Sequence, residues 1–169
     1  MNKRPTVTLC MIVKDEEAML GACLDSVREL VTEMVVVDTG SSDRTPAIAR
    51  EAGARVVEFP WCDDFAAARN AALPHLTTSW ILMLDADERL APGAGEPIRR
   101  AIAGGQVDCG FLPLLDADSL DASPEDVLGG GARRILWSLW PQDVQLQLVA
   151  IRKMALDHRG EALAHPAVV

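Results

Sequence analysis

A chain of 169 residues, 49% hydrophobic and 24% charged, is long enough for one globular domain with its own core. A formal net charge of −9 and a pI of about 4.7 argue against a nucleic-acid surface, which would be basic. No run of about 18 apolar residues is present, so no transmembrane helix is expected. The start, "MNKRPTVTLCMIV", reads as the lead-in to a strand and not as a signal peptide, which points to a cytoplasmic protein with at most peripheral contact at the inner face of a membrane.

Thr6–Val13 is an apolar run and is expected to be a strand. Over Glu17–Val31, apolar residues recur at Leu20, Cys23, Leu24, Val27 and Leu30, the pattern of a helix with one buried stripe. Met34–Val37 is a second strand ending at Asp38. Ser41, Ser42, Asp43 and Thr45 are all good N-caps for a helix through about Ala52, Pro46 suits its first turn, and Gly53 is a natural stop. Ala54–Glu58 reads as a strand, Asp63–His75 as a helix opened by Asp63 and Asp64, residues 80–84 as a strand and Glu96–Ala103 as a short helix. This β-α alternation argues for a mostly parallel sheet covered by helices, with Asp38 and Asp85 on the same carboxyl edge, where such sheets bind ligands.

Beyond Gly105 the signal changes. Cys109–Leu115 is apolar enough for a strand, and "DADSLDASPEDVLGGG" (116–131) is a solvated acidic loop whose spacing fails the calcium-loop pattern. Strict alternation over 144–149 predicts another strand, and Asp157–Val169 gives little local signal. Cys10, Cys23, Cys62 and Cys109 lack metal or redox spacing and are expected to be buried free thiols. His75, His158 and His165 form no H-x-x-x-H pair, and no Walker or G-x-G-x-x-G loop occurs.

The chemistry concentrates in "SWILMLDADERL" (79–90), where the apolar run from Trp80 to Leu84 ends in Asp85, Ala86, Asp87 and Glu88. On an extended chain, residues two apart project to one side, so Asp85 and Asp87 would present their carboxylates together. Mg²⁺ or Mn²⁺ favours such oxygen ligands and shares a diphosphate readily. The Asp-x-Asp pattern alone is common by chance, and the bland alternative is a solvated turn. In an acidic protein, an ion would also offset repulsion against a nucleotide diphosphate.

Four motifs in one order, "LCMIVKDEEAML", "VVVDTGSSDRT", "WCDDFAAARNAAL" and "WILMLDADE", resemble a family 2 glycosyltransferase of the GT-A fold over about residues 7–103. The branch most resembled includes lipopolysaccharide-core glucosyltransferases and tetratricopeptide-linked enzymes. The resemblance implies transfer of a sugar from a UDP-sugar to an acceptor hydroxyl, dependent on Mg²⁺ or Mn²⁺ and with inversion, in cell-envelope polysaccharide biosynthesis. It makes Asp87 a direct metal ligand and gives Asp85 a part through ribose or a bridging water. It makes Asp38 the acceptor of hydrogen bonds from uracil or ribose. Lys14, Asp15 and Glu17 match the start of the nucleotide pocket, with Glu17 the favoured contact, and Arg69, beside Asn70, matches a base or diphosphate contact. Trp61 and Phe65 read as packing residues seating the Asp63–His75 helix.

The chain would then be a single domain over 1–169, with a donor half over 1–105 and an acceptor half over 106–169 that is short for the fold. "LWPQDVQLQLV" echoes the branch, but Gln147, Val149 and Pro166 depart from it. Inverting transfer needs a carboxylate base, for which Asp143 is the candidate and Glu161 the next. Trp137 and Trp140 suit an acceptor cleft or a core equally. The acceptor itself, whether lipopolysaccharide, another glycan or a protein, is not legible. The alternative function is a truncated or degenerate nucleotide-sugar-binding module without efficient transfer. A nucleotidyltransferase is disfavoured, because "VKDEEAML" is acidic where a basic activating loop would stand.

Overall fold

The computed structural model describes residues 5–104, together with the backbone of strands Gly110–Leu115 and Arg133–Pro141. The elements run β1 (Val7–Val13), α1 (Leu20–Val27), β2 (Glu33–Asp38), α2 (Thr45–Glu51), β3 (Arg55–Glu58), α3 (Phe65–Asn70), a 3₁₀ turn (Leu73–His75), β4 (Trp80–Met83), α4 (Gly95–Ala103), β5 (Gly110–Leu115) and β6 (Arg133–Pro141). They form one sheet in the order β3-β2-β1-β4-β6-β5. The pairs β1–β2, β1–β4 and β2–β3 are parallel, whereas β6 pairs antiparallel with both β4 and β5. This is the α/β architecture expected, with the alternation predicted over the first hundred residues.

The central strands are largely apolar, with Thr8 the one polar residue inside β1 and Glu33 and Asp38 at the ends of β2, because helices cover both faces. Along β1, Val7, Leu9, Met11 and Val13 face one core with Met34, Val36, Trp80 and Leu82. Leu20, Cys23, Leu24 and Val27 of α1, Ala49 of α2, and Ile98 and Ile102 of α4 close that side. On the other face, Cys10, Val35, Val37, Ile81 and Met83 meet Ala72 and Leu76. The period-2 alternation of strand side chains thus sorts one apolar sequence into two cores. Pro113 lies in β5, an edge strand, which is where proline is found within sheets.

Several expected boundaries shift. The helix expected over Glu17–Val31 starts only at Leu20, and Glu17 lies in the turn before it. The helix expected over Asp63–His75 splits into α3 and the 3₁₀ turn, with Pro74 in the second piece, where it offers no N–H to an α-helical ladder. Asp64 is the α3 N-cap, accepting from Ala66 N and Ala67 N at 2.9 and 3.0 Å. Asp63 is outside the helix at φ 58° and accepts the Trp61 indole N–H at 2.9 Å. Gly53 does end α2, at φ 87°. Strand β6 has no counterpart in the sequence reading. The strand expected over 144–149, the loop 116–131, Cys109, Asp143, Glu161 and the tail 157–169 lie outside the described residues. Among the described residues, no helix is long and apolar enough to cross a membrane.

Candidate functional site

Because β1, β2 and β4 run parallel, the loops at residues 14–19, 38–45 and 84–90 all emerge from one edge. The first two are laced together. Asp15, held at φ 54°, donates its N–H to Ser41 Oγ at 2.9 Å, and its carboxylate accepts from Ser42 N at 2.7 Å. Glu16 N donates to Thr45 Oγ1 at 2.7 Å and Glu17 N to Asp43 Oδ2 at 3.1 Å. In return, Arg44 N donates to Glu17 Oε2 at 3.1 Å. One oxygen of Glu17 is therefore committed to joining the loops, in addition to any contact with a ligand.

Asp38 closes β2 opposite Val13 and is buried. Its carboxylate accepts from Ser41 N at 3.3 Å and from Ser41 Oγ at 2.5 Å. Gly40, at φ 104°, lets the chain turn back for Ser41 to make these bonds. Phe59 N donates to the Asp38 carbonyl at 2.9 Å, which starts the chain after β3 across this edge toward α3.

The acidic segment after β4 is not extended. The strand ends at Met83, and Glu88 N donates to Asp85 O at 3.0 Å, which closes a tight turn. Ala86 is buried in the core while Asp85 and Asp87 on either side of it are exposed. Their shared exposure comes from this turn and not from strand alternation, which corrects the reasoning offered from the sequence. Arg69 reaches in from α3, with Nη2 at 3.5 Å from Asp85 Oδ1. Asn70 Oδ1, next in the helix, is buried with no hydrogen-bond partner.

The edge is strongly negative. Burial and then the charges of Asp87, Asp43, Asp85 and Asp15 push the Glu16 carboxyl above its ordinary range. Burial likewise raises Glu88, and the charges of Asp85 and Asp87 add to it, against the Asp85 N–H and Arg69, which oppose. Burial, joined by Glu88 and Asp87, lifts the Cys23 thiol to about 12. Cys10, within the field of Arg69, is still raised by burial to about 11. Both thiols are buried as expected, whereas Cys62 is exposed, contrary to expectation. Among the described residues, no three His, Cys, Asp or Glu side chains form a ready cage for an ion.

The structure thus brings Asp85 together with Arg69, sets Asp87 on the same turn and places Asp38 at the same edge. Trp61 and Phe65 do not pack under α3. They are 36% and 60% exposed and meet edge-on at 4.7 Å between ring centroids. Sequence reasoning missed the part played by Glu88, whose place three residues after Asp85 was a usable signal for a closed turn.

The family model for glycosyl transferase family 2 matches residues 8–122. The chain belongs to this family. The match takes in all of the strand edge described above. A TPR repeat-containing protein of Synechococcus elongatus is 56% identical over 93 residues, covering 55% of this chain and 23% of its own length. A glycosyltransferase of Rickettsia felis is 33% identical over 102 residues, covering 60% of this chain and 36% of its own. The family 2 chain therefore spans well under half the length of these relatives. The crystal structure of glucosyl-3-phosphoglycerate synthase from M. tuberculosis shares the fold, with a TM-score of 0.53 and 24% identity over 62% of this chain and 43% of that one. The expected GT-A architecture is therefore present.

Proposed function

We propose that the carboxyl edge of β1, β2 and β4 is the donor site of a metal-dependent glycosyltransferase. It moves a sugar from a UDP-sugar to an acceptor hydroxyl with inversion, in the assembly of a cell-envelope polysaccharide. Family membership supports the reaction class. The contact of Arg69 with Asp85 at this predominantly acidic edge supports the site most directly. A guanidinium set against the Asp85 carboxylate suits a diphosphate whose remaining charge is met by a cation.

In this reading Asp38 accepts hydrogen bonds from the base or ribose, and Arg69 pairs its fork with diphosphate oxygens. Glu17 contacts the nucleotide at the rim. Asp87 and Asp85 hold Mg²⁺ or Mn²⁺. The donor set fits such an ion: both carboxylates are exposed hard oxygen ligands, and the absence of a closed cage among the described residues leaves positions for diphosphate oxygens. The bound ion would offset the charge that gathers on the leaving diphosphate. Asp143 is the proposed base that takes the proton of the acceptor hydroxyl, with Glu161 next; both assignments rest on sequence alone. The whole chain, 1–169, acts as one domain.

The test is UDP release from UDP-glucose and UDP-N-acetylglucosamine with Mn²⁺, with and without chelator. Metal-dependent release of UDP is the expected result. Tight donor binding with no release would leave a nucleotide-sugar-binding module, and no binding of either donor would overturn the reading.

A further inference from the structure

The turn after β4 carries three carboxylates, and the donor site described above uses two. The third, Glu88, folds back on its own turn. Its Oε2 accepts the Asp85 N–H at 2.8 Å, while its own N–H donates to the Asp85 carbonyl at 3.0 Å. The backbone bond closes the turn, and the carboxylate satisfies the Asp85 N–H, a donor that the turn itself would leave open, as the Glu of a helix capping box does. The Asp85 carbonyl also accepts from Cys23 Sγ at 3.5 Å. Five residues on, Leu90 N donates to Ser26 Oγ at 3.1 Å, and that hydroxyl donates to Cys23 O at 2.7 Å. Cys23 and Ser26 stand three residues apart on α1, hence on one face of it. The segment is therefore tied at residue 85 and at residue 90 to one turn of one helix, with Ala86 buried as a peg between them.

We infer that Glu88 is a positioning residue which, with Cys23 and Ser26, holds the Asp85–Asp87 turn in shape, and is not a third ligand for the cation. Its geometry stands on the hydrogen bonds alone; its effect on donor binding rests on the donor-site reading. An unclamped turn would have to be ordered each time the ion and diphosphate bind, and the clamp meets that entropic cost in advance.

The experiment uses the full chain with Glu88→Gln, Glu88→Ala, Ser26→Ala and Asp87→Asn. Amide hydrogen exchange over residues 84–90 is read without ligand, and UDP affinity with Mn²⁺ by calorimetry. Gln keeps a carbonyl that can accept the Asp85 N–H, so Glu88→Gln should hold both readouts within about threefold of wild type. Glu88→Ala should speed exchange and weaken affinity, each by about tenfold. Ser26→Ala should speed exchange toward Leu90. Asp87→Asn should leave exchange protected while affinity falls. If Glu88→Gln loses affinity like Asp87→Asn with its turn still protected, Glu88 is a ligand and the inference is wrong. Unchanged exchange in Glu88→Ala also overturns it. Should Glu88→Ala not fold, the Gln and Ser26 variants still decide the matter. If wild type fails to bind UDP with Mn²⁺ but the exchange pattern holds, the donor-site reading falls and the clamp stands.

Discussion

Replacing Arg69 should separate its part in ligand binding from its part in the fold. The guanidinium is 3.5 Å from Asp85, with the two side chains 28% and 60% exposed. An ion pair this long and this open to solvent contributes at most about 1 kcal/mol. In a domain of this size its loss should lower Tm by only about 2–4 °C. A guanidinium bonded to diphosphate oxygens is worth about 1.5–3 kcal/mol, which is roughly a 10- to 100-fold change in affinity. Arg69→Ala should therefore weaken UDP binding about 10- to 100-fold in calorimetry with a nearly normal melting curve. Arg69→Lys keeps the charge but not the planar fork, so its affinity should fall between the two. Wild-type affinity in Arg69→Ala, with a normal Tm, would refute the assignment and return Arg69 to the solvated surface.

Three further outcomes are expected. Leu82 is fully buried in β4, so Leu82→Ala should cost about 2–5 kcal/mol in urea unfolding, and a loss under 1 kcal/mol would contradict the core assignment. Burial raises the Glu33 carboxyl, but bonds from Thr8 and Thr77 outweigh this and hold it below its ordinary value of 4.5. Its contribution should be present above that value and lost as pH falls through the lower folded-state value. Glu33→Gln should therefore flatten the stability curve in that acid window, and an unchanged acid limb would contradict this. If the chain turns over, Asp143→Asn should cut the transfer rate roughly 10²-fold and spare UDP affinity; full turnover would make Glu161 the next residue to test.

The parallel core was legible because its signals are local. Apolar runs at 6–13, 34–37, 54–58 and 80–84 became four strands, and Asp38 and Asp85 fell on one edge because β1, β2 and β4 run parallel. What escaped depends on distant partners. "RRILWSLWP" lacks clean alternation, and its role as β6 is set by pairing with β4, where Trp140 lies opposite Ile81. By residue type alone, Trp137 and Trp140 suit a cleft or a core, and nothing local marks them as part of a strand. The break after α3 could have been anticipated from Pro74. The exposure of Trp61 and Phe65 could not, because apolar identity alone does not tell a packed ring from one on the surface. At the site, the Asp-x-Asp pattern pointed to Asp85 and Asp87, and the family resemblance to Asp38 and Arg69. The turn that presents the last two, and the hydrogen bonds of Glu88 that close it, follow from three-dimensional geometry.

Calorimetry of UDP with and without Mn²⁺, on wild type and Asp87→Ala, reads the metal's part in donor binding at this edge. Wild type should bind UDP tightly only with metal, and metal should no longer improve binding to Asp87→Ala. Equal UDP affinity with and without Mn²⁺ in wild type would contradict this and remove the metal from this strand edge.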